Sequence, residues 1–209
     1  DAPVPAVKDD GIITFGSFNH MSKLTPKVIA LWARILNAVP NSRLLLKHLQ
    51  LAHAVTRDTV VKQFGVHGIG PDRLELHAKL PKYADHLAMY GKVDIGLDPF
   101  PFNGCTTTFE ALWMGVPVIA LNGETHVGRV GASILTHLGH PELLAQDEDE
   151  YVSIACALAG DADQRQEYRV GLRDEMKASP LGDTAGFAAK IEDAYRTMWA
   201  KFVRDGENS

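Results

Sequence analysis

Cysteine is scarce in this sequence. Cys105 and Cys156 are the only two in 209 residues. Two thiols at no metal-ligand spacing make no disulfide framework, so they read as reduced groups in a cytosolic setting, and a cytoplasmic location is expected. Long apolar runs are missing too: nothing approaches the roughly eighteen uncharged apolar residues that a membrane-spanning helix needs. Basic residues are not in excess, with 21 Lys and Arg against 26 Asp and Glu. They are scattered, which argues against a nucleic-acid partner, since backbone binding needs a concentrated basic face. The sequence carries no G-x-G-x-x-G after its first apolar run and no G-x-x-x-x-G-K-[ST], which counts against a dinucleotide site and a P-loop. No H-x-x-x-H pair is backed by a carboxylate, so no metal is expected, and a serine nucleophile elbow is absent.

What is present is alternation. "GIITFGSF" is a short apolar run that ends in turn residues, as a buried strand does. "TPKVIALWARILNAVPNS" follows, with Thr25 placed to cap a helix and Pro26 at its first position. Val28, Ile29, Leu31, Trp32, Ile35 and Leu36 recur at helical spacing, and Pro40 closes the segment. "RLLLKH" predicts a second strand, residues 54 to 66 a helix, "DRLELHAKL" a third strand with its exit loop, and "YADHLAMYGK" another helix. "VDIGLD" is a fourth strand, "VPVIAL" a fifth, and a loop and helix lie between them.

Short apolar strands separated by helices predict an α/β protein with a Rossmann-like, doubly wound parallel sheet. Beyond residue 126 the pattern is helical, with no convincing strand. The expected organisation is a linker at 1–10, a Rossmann-like core at 11–125 and a helical part of the same lobe at 126–209. There are no repeats and no low-complexity tracts.

In an open parallel sheet, ligands bind outside the carboxyl ends of the strands. Three strand exits carry suggestive residues. After the fourth strand comes "DPFPFNGCTTTFE", in which Gly104 lets a ligand approach the backbone and the next residues open a helix. Free amides and the positive end of the dipole make such a start an anion site, and Thr106 and Thr107 add hydroxyls. Glu110 shares their face one turn on, and an accepting carboxylate there suits ribose hydroxyls. The competing reading is a capping box, Thr107-x-x-Glu110, in which Glu110 folds back on the helix start.

After the first strand, Lys23 can neutralise a phosphate as a mobile charge, or simply be solvated; His20 can donate to a ligand or lie on the surface. After the third strand, Lys82 and His86 lie one helical turn apart, at a place to meet a base or ribose or on an ordinary amphipathic face. Convergence of the three exits on one sheet edge points to a nucleotide diphosphate.

The blocks "FGSFNHMSKLTPKVIALWARILNAVPNSRLLLK", "DIGLDPFPFNGCTTTFEALWMGVPVIALNGETHVGRVGAS" and "SPLGDTAGFAAKIEDAYRTMWAKF" together resemble the C-terminal catalytic half of glycosyltransferase family 41. That family holds the O-linked N-acetylglucosamine transferases and the Spindly-type O-fucosyltransferases. The likeness runs from about Gly11 to Phe202. It implies a GT-B architecture, with this lobe holding the nucleotide sugar and no cofactor or metal. It implies that Lys23 contacts the diphosphate and stabilises the leaving group, and that His20 stands where the animal enzymes carry a nucleotide-contacting Gln. Lys82 and His86 fall in the segment that meets ribose and base. Thr106 and Thr107 match the phosphate-holding threonines, and Glu110 an acidic residue that takes the ribose hydroxyls.

Cys105 departs from the pattern: it stands where animal N-acetylglucosamine transferases have His and Spindly-type members Thr. A thiol donates poorly, so contact there would rest on its amide. The implied donors are UDP-N-acetylglucosamine (UDP-GlcNAc) or GDP-fucose, and the implied acceptors are proteins bound through an N-terminal lobe and tetratricopeptide repeats that these residues do not include. Little turnover is expected from these residues alone. A nucleotide-sugar epimerase and a non-catalytic binding module stay open as other classes.

Overall fold

A computed structural model describes residues 11–206; the linker assigned to 1–10 lies outside the described residues. The strands are β1 (Ile13–Ser17), β2 (Ser42–Lys47), β3 (Leu74–His77), β4 (Ile95–Leu97), β5 (Val118–Leu121) and β6 (Leu144–Ala145). The helices are α1 (Pro26–Ala38), α2 (Ala54–Gly65), α3 (Tyr83–Ala88), α4 (Thr106–Trp113), α5 (Val130–Leu138), α6 (Glu148–Gly160), α7 (Ala162–Ala178) and α8 (Thr184–Gly206). All strand pairings are parallel, in the order β3-β2-β1-β4-β5-β6. This is an α/β Rossmann-like sheet.

Local chemistry accounts for the elements. Thr25 caps α1, its hydroxyl accepting from the Val28 amide at 3.3 Å, and Pro26 occupies the first turn, where a missing N–H costs nothing. The six apolar positions of α1 named above are all buried. Strands β1 and β2 are buried along almost their whole length, as strands covered on both faces must be. On the chain's second half, α6 packs against α1 and β5, while α7 packs against α4.

The expectation that no strand follows residue 126 is corrected by β6, which pairs with β5 through Ala120↔Leu144 and Leu121↔Ala145. Two residues are too few for alternation to show, so periodicity could not reveal it.

The strand order sets the position of the site. The chain winds outward one way from β1 through β2 to β3, and the other way from β4 through β5 to β6. Neighbours β1 and β4, in register at Phe15↔Ile95 and Gly16↔Gly96, therefore flank the switch point, and their exit loops diverge to leave a crevice.

Candidate functional site

The loop after β1 folds into a single 3-10 turn, Met21–Lys23, whose cap is His20: its Nδ1 accepts from the Ser22 amide at 3.2 Å. That turn aims Lys23 across the crevice. Its Nζ donates to the Asn103 carbonyl oxygen at 2.7 Å and to Asn19 Oδ1 at 3.4 Å. The ammonium also lies 4.1 Å from the centre of the Phe102 ring. Burial lowers its pKa, while the charges of Asp98 and Cys105 act in the opposite direction.

The loop after β4 reaches the same point. Asp98, 1% exposed, accepts the Gly104 amide on Oδ1 at 2.7 Å and so closes the turn 99–104. Asn103, also 1% exposed, donates to the Pro99 carbonyl oxygen at 3.0 Å and accepts the Gly131 amide at 3.2 Å. The expectation that Gly104 bares its backbone to a ligand is corrected here. Its amide turns inward, and a Cβ would stand 2.5 Å from Thr108 Oγ1, 2.7 Å from Thr107 Oγ1 and 2.8 Å from Asp98 Oδ1. Glycine is needed so that the turn can close on itself.

Helix α4 starts at Thr106 with Cys105 as its cap residue, and no side chain makes a capping bond. Among the described residues, the amides of Cys105, Thr106 and Thr107 meet no acceptor. Cys105 and Thr106 are exposed, whereas the Thr107 hydroxyl donates to Asn19 Oδ1 at 3.1 Å. Asn19 thus touches both Lys23 and Thr107, tying the two loops together.

Glu110 excludes the capping-box reading. Thr107 lies inside the helix, and Glu110 turns sideways, away from the helix start. Its Oε1 accepts from Tyr83 Oη at 2.9 Å; its Oε2 accepts from His86 Nε2 at 2.8 Å and from Tyr90 Oη at 3.4 Å. Burial raises the Glu110 pKa, but the bonds from His86 and Tyr83 outweigh it, so the carboxyl stays below its ordinary range. His86 also meets Lys47, the buried last residue of β2, through Nδ1. With Nδ1 accepting from the Lys47 ammonium, the ring proton sits on Nε2 and points at Glu110. Tyr83, Phe109, Glu110, Trp113 and Thr106 line a cavity of about 370 Å³ beside this cluster.

The structure therefore brings Lys23, Thr107, Cys105 and Thr106 to one end of the crevice, with His86 and Glu110 in contact beside it. His20 is exposed at the rim, edge-on to the His48 ring at 4.5 Å. Lys82 is exposed at the start of α3 and joins neither cluster; Tyr83, its neighbour, does. Sequence reasoning passes over Asn19, Lys47, Tyr83, Asp98 and Asn103. For Lys47 and Asp98 a signal existed, since each is the polar residue that ends or follows an apolar strand run. Among the described residues no group of three or more His, Cys, Asp or Glu is placed to hold a metal ion, and no helix is long and apolar enough to cross a membrane.

Comparison with known proteins shows the family and the fold. The family model described as Glycosyl transferase family 41 matches residues 6–191. The probable UDP-N-acetylglucosamine–peptide N-acetylglucosaminyltransferase SPINDLY of Oryza sativa subsp. japonica is 43% identical over 205 residues, which cover 98% of this chain and 22% of that protein. The UDP-N-acetylglucosamine–peptide N-acetylglucosaminyltransferase of Caenorhabditis elegans is 31% identical over 194 residues, covering 92% of this chain and 16% of that one. Among solved structures, a lysine-to-methionine variant of the Thermobaculum terrenum O-GlcNAc transferase matches with a TM-score of 0.87 at 40% identity, over 94% of this chain and 38% of that one. The chain thus spans 22% of the length of the SPINDLY relatives it matches.

Proposed function

This chain belongs to glycosyltransferase family 41, and on that premise we propose that it forms the nucleotide-sugar-binding lobe of a protein O-glycosyltransferase. The reaction proposed is transfer of N-acetylglucosamine from UDP-GlcNAc to Ser or Thr hydroxyls of proteins, with UDP leaving.

One observation carries the reading. The Lys23 ammonium, 2.7 Å from the Asn103 carbonyl, and the unpaired amides that open α4 meet at the switch point between β1 and β4. A pyrophosphate in that crevice would take the ammonium on one side and the amides of residues 105–107 on the other, with the hydroxyls of Thr106 and Thr107 in reach. As the sugar–phosphate bond breaks, negative charge grows on the departing oxygen. Preorganised donors stabilise that charge without reorganising, which is the source of their catalytic effect. Glu110 keeps lone pairs for ribose hydroxyls beside the bonds it already accepts. His86, fixed by Lys47 on one nitrogen and Glu110 on the other, supports it, and the Tyr83 ring offers a face to a base. Lys82 and His20 stay at the rim of this arrangement. The general base comes from outside these residues, and the acceptor-binding wall from the N-terminal lobe and repeats that the family resemblance implies, so these residues alone are expected to bind nucleotide and turn over little.

A second donor, GDP-fucose, stays open because the wording "GCTTT" and "MGVPV" leans to the Spindly-type and bacterial branch, although the SPINDLY relatives are themselves named as probable UDP-N-acetylglucosamine–peptide N-acetylglucosaminyltransferases. Titration calorimetry with UDP and with GDP separates the two readings. Tighter binding of UDP supports the first and tighter binding of GDP the second. If neither nucleotide binds, the transferase reading loses its basis.

A further inference from the structure

Asp98 is a carboxylate sealed beneath the crevice, and the roles above do not use it. Its Oδ1 holds the Gly104 amide at 2.7 Å, and its backbone carbonyl takes the Tyr151 hydroxyl at 3.0 Å. Its Oδ2 has no hydrogen-bond partner among the described residues. The Thr108 hydroxyl, also buried, faces the carboxylate and favours its charged form, but makes no hydrogen bond of full geometry. Resting on the nucleotide reading above, we propose that Asp98 is a positioning residue of the phosphate site. It shapes the turn 99–104 that presents the Asn103 carbonyl to Lys23, and it takes up a proton from solvent when the nucleotide sugar binds.

The physical basis is electrostatic. A buried carboxylate with one oxygen unpaired is costly to keep charged, and here the main opposing charge is the Lys23 ammonium. Other groups face it from each side. Thr108 comes from α4, Tyr151 from α6, and α5 approaches at Gly131, where a Cβ would stand 3.0 Å from Oδ2. None of these brings a second positive charge. A pyrophosphate adds negative charge to the site and engages the same ammonium. Its arrival weakens the interaction that kept Asp98 ionised, and protonation is the route by which the carboxyl stays buried. Burial has already pushed its pKa up to about 7, against the pull of the Gly104 amide and Lys23, so the proton is available near neutrality. A protonated carboxyl still offers Oδ1 to Gly104, so the turn is retained.

The test is calorimetry with UDP-GlcNAc, whose pyrophosphate has no proton to exchange near neutral pH, in buffers of different ionisation enthalpy. Wild type is expected to take up roughly half a proton per ligand near pH 7, and its affinity to fall about tenfold between about pH 6 and about pH 8. In Asp98→Asn the amide oxygen still accepts from Gly104, so binding persists while the proton uptake and the pH slope disappear. Binding with no uptake in wild type, or with the same uptake in Asp98→Asn, overturns the inference and leaves the nucleotide site standing. Failure of both UDP-GlcNAc and GDP-fucose to bind removes the site and this inference with it. Should the variant not fold, carbon-13 NMR of the wild-type aspartate carboxyls decides the matter. A buried carboxyl titrating near pH 7 and moved upward by donor supports the proposal; one that does not move with donor refutes it.

Discussion

Lys23 and Asn103 are 80 residues apart in the chain and 2.7 Å apart in space, ammonium to carbonyl oxygen. The bond holds a cation from the loop after β1 against the turn that leads into α4. On the proposed function, it places the two halves of the phosphate site before any anion arrives.

The first expectation follows directly. In Lys23→Ala the site keeps its helix start but loses its charge, so UDP affinity should drop by about 2 kcal/mol, roughly thirtyfold. Calorimetry on wild type and variant measures this. The variant should stay folded, because the Lys23 side chain is not part of the core, and circular dichroism checks this. Loss of the ammonium also removes the positive charge nearest Asp98, so melting temperatures should agree better at about pH 6 than at about pH 8.

Cys105 tests the opposite case. Its side chain is exposed and makes no capping bond, so any contact it gives a phosphate comes from the amide. Cys105→Ala should therefore leave UDP affinity within about threefold of wild type. A larger loss would place the thiol itself in the site.

His140 predicts a pH-dependent stability. Burial lowers its pKa, but hydrogen bonds to the Glu175 and Glu142 carboxylates, each at 2.7 Å, outweigh burial and raise it overall. A folded-state pKa above the unfolded one means that the stabilisation is fully present below the ordinary histidine pKa and is lost as pH rises through the raised value. Both glutamates are about half exposed, so the contribution is about 0.5–1 kcal/mol. Thermal melts of wild type and His140→Asn should differ most near pH 6 and converge in mildly alkaline solution.

Arg169 carries a larger stake. It is 4% exposed, and its guanidinium donates to the carbonyls of Val93 at 2.5 Å, Met114 at 3.2 Å and Tyr90 at 3.4 Å. It thereby pins α7 to the turn after α4 and to the approach to β4. Arg169→Leu leaves those carbonyls buried without this donor and should cost about 3 kcal/mol, or roughly 6 to 12 °C in melting temperature. At the same contact, Gly115 has φ +74° and a Cβ there would meet the Arg169 carbonyl oxygen at 2.4 Å. Gly115→Ala should destabilise as well, by strain and clash together.

Most elements are legible in the sequence because their causes are local. Thr25 and Pro26 mark where α1 begins, and the apolar spacing from Val28 to Leu36 marks the face it buries. The run "VPVIAL" marks β5 without reference to anything distant. The start of α4, with its free amides, is legible for the same reason, since small and hydroxyl residues before an apolar helix describe a local geometry. Lys82 shows the limit. Its neighbours in sequence put it beside the nucleotide segment, yet the turn into α3 leaves it exposed and gives Tyr83 the contact with Glu110.

The amino-acid order by itself determined the alternation of strand and helix, the covering of the sheet on both faces and the location of a helix start with free amides, because backbone geometry ties each of these to a spacing of a few residues. Tertiary structure alone decided which loops share the crevice, that Asp98 is sealed beneath it, that Glu110 is held by two tyrosines and a histidine, and that a two-residue strand completes the sheet. Those contacts join residues that are far apart along the chain or, in β6, too few to show a period. They depend on strand order and burial, and no short window of sequence encodes either.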